Sequence, residues 1–245
     1  MSYSCYTISP AKSDYVPIGT IEKFNDLDVY VSKPKGESKP SKKAILVCHD
    51  VFGYHPNTKQ FCDLLAKAGY IVALPDYFRG KTAQVQSQGL QALVKFVLEN
   101  FPAELVMNDT LNVIKHLSSE YGAENFGFVG FCTGGVLGSK LCAVKDFDAC
   151  VLIHYGPLQA ENFEKSQCPV AFLPSREDQD PQPFVDAMKD KPFAEKNFQK
   201  RFSDMDHGFA ASRGNWNDSL IFEKVNEVIE ICTKFFNDNL GYNSY

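Results

Sequence analysis

NFGFVGFCTGGVLG, residues 125–138, decides the fold: an apolar strand pattern runs into Gly130-Phe131-Cys132-Thr133-Gly134-Gly135 and from there into a helical stretch. So tight a turn from strand to helix leaves no room for bulky side chains beside Cys132, which accounts for Gly130 and Gly134. It thrusts the thiol out at the carboxyl edge of a sheet, on a helix N-terminus. Outward from here, AILVCHD (44–50), YIVALPD (70–76), ACVLIHY (149–155) and PVAFLPS (169–175) read as further buried strands. Apolar residues at helical spacing predict helices over 56–68, 85–100, 103–118, 133–144 and 219–237, the last with Leu220, Val225, Val228, Ile231 and Phe235 on its inner face. This alternation predicts an α/β fold, a mostly parallel central sheet with helices on both faces. IGTIEKFNDLDVYVS (18–32) alternates as an antiparallel edge does, and KPKGESKPSKK (33–43) reads as a solvated hairpin or linker.

The chain has 245 residues, 44% hydrophobic and 22% charged, enough apolar material for one domain spanning residues 1–245. A net charge of -5 provides no basic field for a polyanion, so nucleic acid is not expected as a partner. No apolar run has the length of a membrane helix, and MSYSCYTISPAKSDYVP lacks the apolar centre of a signal peptide; no membrane association and a cytoplasmic location are expected. No exposed apolar stripe stands out, which favours a monomer. The eight cysteines show no CxxC spacing and read as free thiols, with Cys48, Cys142, Cys150 and Cys168 as small core hydrophobes.

Cys132 differs from these. A thiol on a helix N-terminus is biased toward thiolate by the dipole and the free amides, and the same amides can hold an oxyanion. Glycine-rich strand-to-helix turns also serve nucleotide binding and close packing, so its partners decide. A thiol nucleophile needs a base, and the base an orienting carboxylate. Asp178 in SREDQD (175–180) follows the strand PVAFLPS, and His207 in DHGF (206–209) follows a further expected strand, NFQKRF (197–202). The bland readings are a helix cap for Asp178 and a surface loop for His207. Of the other histidines, His116 reads as a solvated helix residue and His154 as a hydrogen-bonded neighbour of the site. His49 and His55 lack a third ligand at metal-site spacing, so no metal and no cofactor are expected. Asp50 ends a parallel strand, where ligand sites form in such sheets.

Together, HDVFGYHPNT (49–58), PDYFRG (75–80), GFCTGG (130–135), SRED (175–178) and DHGFA (206–210) resemble the dienelactone hydrolase (carboxymethylenebutenolidase) family, with a pattern nearest its eukaryotic and fungal members. The resemblance covers the chain from about Ala44 to the final helix. It implies an α/β-hydrolase fold, a small-molecule lactone or ester substrate and a triad of Cys132 as nucleophile, His207 as base and Asp178 orienting it. It puts the oxyanion hole on the backbone amides of Val51 and Thr133. On Asp50 it puts a carboxylate that pairs with the resting thiol, a position usually occupied by glutamate. Of the family's two carboxylate-clamping arginines, Arg79 matches one with a shift of one position, while the other falls on Ala211, with Arg213 nearest. Two further readings stay open: a thiol sensor or binding module on the same fold, and acyl transfer to an acceptor other than water.

Overall fold

The computed structural model describes residues 9–35, 41–83 and 85–241, so residues 36–40 of the expected linker lie outside the described residues. The strands β1 (Thr20–Phe24), β2 (Leu27–Ser32), β3 (Lys43–Cys48), β4 (Ile71–Pro75), β5 (Asn125–Phe131), β6 (Ala149–Ile153), β7 (Val170–Leu173) and β8 (Phe198–Gln199) form one sheet. Its spatial order is β1-β2-β4-β3-β5-β6-β7-β8. The first two strands are antiparallel, in register Thr20↔Val31 and Val29↔Pro75, and the remaining pairs are parallel. Strand β8 is shorter than the expected 197–202 stretch, yet the chain stays against β7: Lys200 N–H donates to the Phe172 carbonyl at 3.0 Å and Phe202 N–H to the Pro174 carbonyl at 2.8 Å.

Helices α1 (Pro56–Lys67), α2 (Val85–Asn100), α3 (Ala103–Tyr121), α4 (Thr133–Leu141), α5 (Ala160–Phe163), α6 (Gln182–Asp186) and α7 (Ser219–Asn239) flank the sheet. Alternation along β3 divides the core. Ala44, Leu46 and Cys48 join one apolar cluster with α3 and α4, whereas Ile45 and Val47 join another with Phe61 and Leu65 of α1 and Val225 and Val228 of α7. Leu220 departs from expectation: it is exposed, because it lies in the first turn of α7, where Asp218 caps the backbone, ahead of the buried stretch that begins at Val225. The predicted helix over 85–100 is two pieces meeting at Gly89, whose φ of 68° and ψ of -172° no helix contains. His116 is half-buried, partly open to solvent and stacked on Phe24 with ring centroids 3.7 Å apart. Cys48, Cys142, Cys150 and Cys168 are buried in the core.

The chain runs from β3 to β4 on one side and returns to place β5 on the other. The carboxyl ends of β3 and β5 therefore border the crevice where the order reverses, and ligand sites of open α/β sheets form there.

Candidate active site

Cys132 occupies the turn between β5 and α4 with φ 52° and ψ -108°, a backbone conformation costing about 1–3 kcal/mol that its surroundings must enforce. They do so through packing and hydrogen bonds. A Cβ on Gly130 would stand 2.2 Å from the Gly134 carbonyl oxygen, and one on Gly134 2.6 Å from that of Cys48. The Cys132 carbonyl accepts from Gly135 N–H at 3.0 Å and Gly156 N–H at 2.9 Å.

Asp178 and His207 meet at the ends of neighbouring segments. His207 Nδ1 lies 2.6 Å from Asp178 Oδ1, with both side chains buried. The other carboxylate oxygen, Oδ2, accepts from Ser175 N–H at 2.7 Å and Ser175 Oγ–H at 2.6 Å. Burial opposes ionisation of Asp178, but the bonds from His207 and Ser175 outweigh it and hold the carboxyl below its usual range. Arg201 fastens the loop: its Nη1 donates to the carbonyls of Ser175 at 2.6 Å and Asp178 at 3.0 Å.

His154 is fully buried at a φ of 34°. Its ring stacks on Phe131, the residue before Cys132, with centroids 5.4 Å apart, and meets His207 edge-on at 5.1 Å. Both of its ring nitrogens are buried without a hydrogen-bond partner among the described residues, so the expected hydrogen-bonded neighbour is instead a packed, neutral imidazole. Burial, with His207 beside it, pushes it down to about 3.

Asp50 is nearly fully buried, and both of its oxygens accept bonds from the protein. Oδ1 takes Phe52 N–H at 2.9 Å and Ser212 Oγ–H at 2.8 Å, and Oδ2 takes Ser212 N–H at 3.1 Å. This carboxylate ties the loop after β3 to the loop that carries His207. Val51 and Thr133 line one cavity of about 280 Å3 together with Cys132, with Leu93, Val97 and Leu137 in its apolar wall. A larger open depression of about 630 Å3, between Glu195–Phe198 and the end of α7, contains none of these residues.

The two arginines separate. Arg79 is not among the residues lining the Cys132 cavity; its guanidinium donates to Asp109 of α3 at 3.0 Å and lies 3.5 Å from Asp26 in the β1–β2 turn. Arg213 stays with the site: its guanidinium lies over the Phe52 ring at 5.0 Å, and it lines a second cavity, of about 270 Å3, with His207 and Phe209. Among the described residues, no group of three or more His, Cys, Asp or Glu side chains is arranged to hold a metal ion, and no helix is long and apolar enough to cross a membrane. Ser175, Arg201 and Ser212 escape sequence reasoning because a lone serine or arginine in a loop has no pattern until its partner is known.

The sequence model of the Dienelactone hydrolase family matches residues 27–240. A carboxymethylenebutenolidase homolog of Xenopus tropicalis is 32% identical over 127 residues, which span 51% of this chain and 50% of that protein. The human carboxymethylenebutenolidase homolog is 26% identical over 219 residues, 85% of this chain and 86% of that one. A crystal structure of a dienelactone hydrolase described as putative, from Klebsiella pneumoniae, superposes with a TM-score of 0.64 at 22% identity, covering 83% of this chain and 92% of that one, which is a likeness of fold.

Proposed function

This chain belongs to the dienelactone hydrolase family, hydrolases of the α/β fold, and from that premise we propose that it cleaves a lactone or carboxylic ester through a thiolate on Cys132. The observation that supports this most is the buried Asp178–His207 pair at 2.6 Å, in the loops beside a strained, glycine-locked turn that presents a cysteine. In this reading His207 takes the thiol proton of Cys132, the thiolate attacks the carbonyl carbon, and the carbonyl electrons move to an oxyanion held by the amides of Val51 and Thr133, each donor contributing on the order of 3–4 kcal/mol. Collapse expels the alkoxide, which takes a proton from His207, leaving a thioester on Cys132. Water, deprotonated by His207, then releases the acid and restores the thiol. Asp178 keeps the Nδ1–H tautomer of His207, so that Nε2 carries the proton traffic.

Hydrolysis of dienelactones, simple lactones and p-nitrophenyl acetate by wild type and by Cys132→Ala, side by side, tests this. Activity lost with the thiol supports the reading, and equal rates refute it. Fast formation of sulfenic acid on Cys132 under peroxide, with no ester turnover, favours the sensor reading instead.

A further inference from the structure

Two thiols outside the catalytic turn meet in the core. Cys150 on β6 and Cys168 in the bend before β7 bring their Sγ atoms to 3.8 Å, on the side of the sheet that α3 and α4 cover. Packing of small apolar side chains accounts for that contact by itself. The two residues differ in access, however. Cys150 is fully buried, whereas Cys168 lies in the wall of a cavity of about 290 Å3 with Gln167 and Pro169 beside it. Backbone bonds pin the bend over Cys150: Gln167 N–H donates to the Cys142 carbonyl at 2.7 Å, and Cys150 N–H to the Pro169 carbonyl at 3.1 Å. Ser166 Oγ–H closes the bend on the Cys168 carbonyl at 2.7 Å. A disulfide needs its sulfurs about 2.0 Å apart, so the pair must close by roughly 1.8 Å. The ladder pairs Cys150 with Val170 and leaves Cys168 outside the strand, where the bend can supply that movement.

We propose that Cys150 and Cys168 form an oxidation site separate from the nucleophile, a dithiol that hydrogen peroxide converts in the folded chain to a disulfide stapling β6 to the bend before β7. Cys168 reacts first. Its sulfur takes one peroxide oxygen, the O–O bond breaks, and the departing hydroxide leaves as water with the thiol proton, giving Cys168 sulfenic acid. Cys150 Sγ then attacks that sulfur, the S–O bond breaks, and hydroxide leaves as water with the Cys150 proton. Two thiols lose two electrons in all, and one peroxide becomes two waters. Burial raises the Cys150 thiol well above its ordinary value, so it stays protonated until the sulfenic acid forms beside it. The staple joins two strands whose ends serve the site. Past β6, Gly156 N–H donates to the Cys132 carbonyl at 2.9 Å, and past β7, Ser175 N–H donates to Asp178 at 2.7 Å. The assignment does not require Cys132 to be a nucleophile.

Folded wild type and Cys132→Ala, treated with hydrogen peroxide, quenched with catalase, unfolded, alkylated with N-ethylmaleimide and digested with trypsin without reductant, test this by mass spectrometry. Cleavage after Lys140, Lys145, Lys165 and Arg176 puts Cys142, Cys150 and Cys168 in separate peptides, 141–145, 146–165 and 166–176. In both proteins the last two are expected to be joined, two hydrogens lighter than the pair of thiols, and to separate in dithiothreitol. Closing this loop should raise Tm by about 5–10 °C over the reduced protein. Cys150→Ala should leave a sulfenic acid on Cys168 that dimedone traps, while Cys168→Ala should leave Cys150 reduced. The link itself is read in wild type, so the result stands even where a core variant does not fold. Both cysteines still alkylated after oxidation, a link from Cys168 to Cys142, a link that needs Cys132 or forms only in urea, or an unchanged Tm overturns the proposal.

Discussion

Asp178 divides its carboxylate between two partners, with Oδ1 2.6 Å from His207 Nδ1 and Oδ2 2.6 Å from Ser175 Oγ. His207 is thereby held by an anion that is itself held. Asp178→Asn should reduce kcat/KM by about 10²–10⁴-fold with little change in fold, the effect of losing the tautomer-fixing carboxylate. Ser175→Ala acts on the anion alone. Because the folded Asp178 carboxyl lies below its usual range, its stabilisation is fully present above the ordinary carboxylate range and is lost as pH falls through the folded value. Ser175→Ala should therefore cost about 1–3 kcal/mol at pH 7, with a gap from wild type that narrows below about pH 4. Urea unfolding at a series of pH values measures this, and a gap independent of pH would contradict it.

His154 sets a second pH dependence. Its imidazole is pushed down to about 3 in the folded chain, whereas an unfolded histidine takes up its proton near pH 6.5. Stability is thus lost as pH falls from about 6.5 toward 3, at up to about 1.4 kcal/mol per pH unit for this one group. Asparagine accepts the positive φ and does not titrate. His154→Asn should flatten the loss of stability between pH 6 and pH 4, whatever it costs at neutrality; an unchanged slope would show that the ring is protonated in the native state.

Asp50 and Ser212 lie 162 residues apart in sequence and meet through two hydrogen bonds. Each of Asp50→Ala and Ser212→Ala should destabilise by about 1–3 kcal/mol, and the double variant by clearly less than the sum, since both break the same tie. Additive losses in denaturant titrations would show that the two residues act independently.

Arg79 reads differently in sequence and in structure. Its 3.0 Å bond to Asp109 and the partial exposure of the pair predict that Arg79→Met costs at most about 1 kcal/mol of stability. The ratio of kcat/KM for a carboxylate-bearing ester to that for its neutral analogue should not move. A fall in that ratio would return Arg79 to substrate recognition.

The legible features were those imposed by short-range geometry. Gly130 and Gly134 betray the turn because any larger residue collides with backbone, and the parallel strands betray themselves by continuous burial on both faces. Chain order was enough to single out Asp178 and His207, whose loops the sheet then brings together. What stayed hidden depends on contacts between distant loops: the Ser212 bonds to Asp50, the Arg201 bonds to the acid loop, and the ring of His154 against His207.

The most direct measurement is the site of the acyl group during turnover. Wild type mixed with p-nitrophenyl acetate, quenched in acid within the first turnover and mapped by peptide mass spectrometry, should hold its acetyl group on Cys132. Cys132→Ala should show neither the adduct nor the burst of nitrophenol. An acyl group on another residue, or undiminished turnover by Cys132→Ala, would contradict the thiolate mechanism.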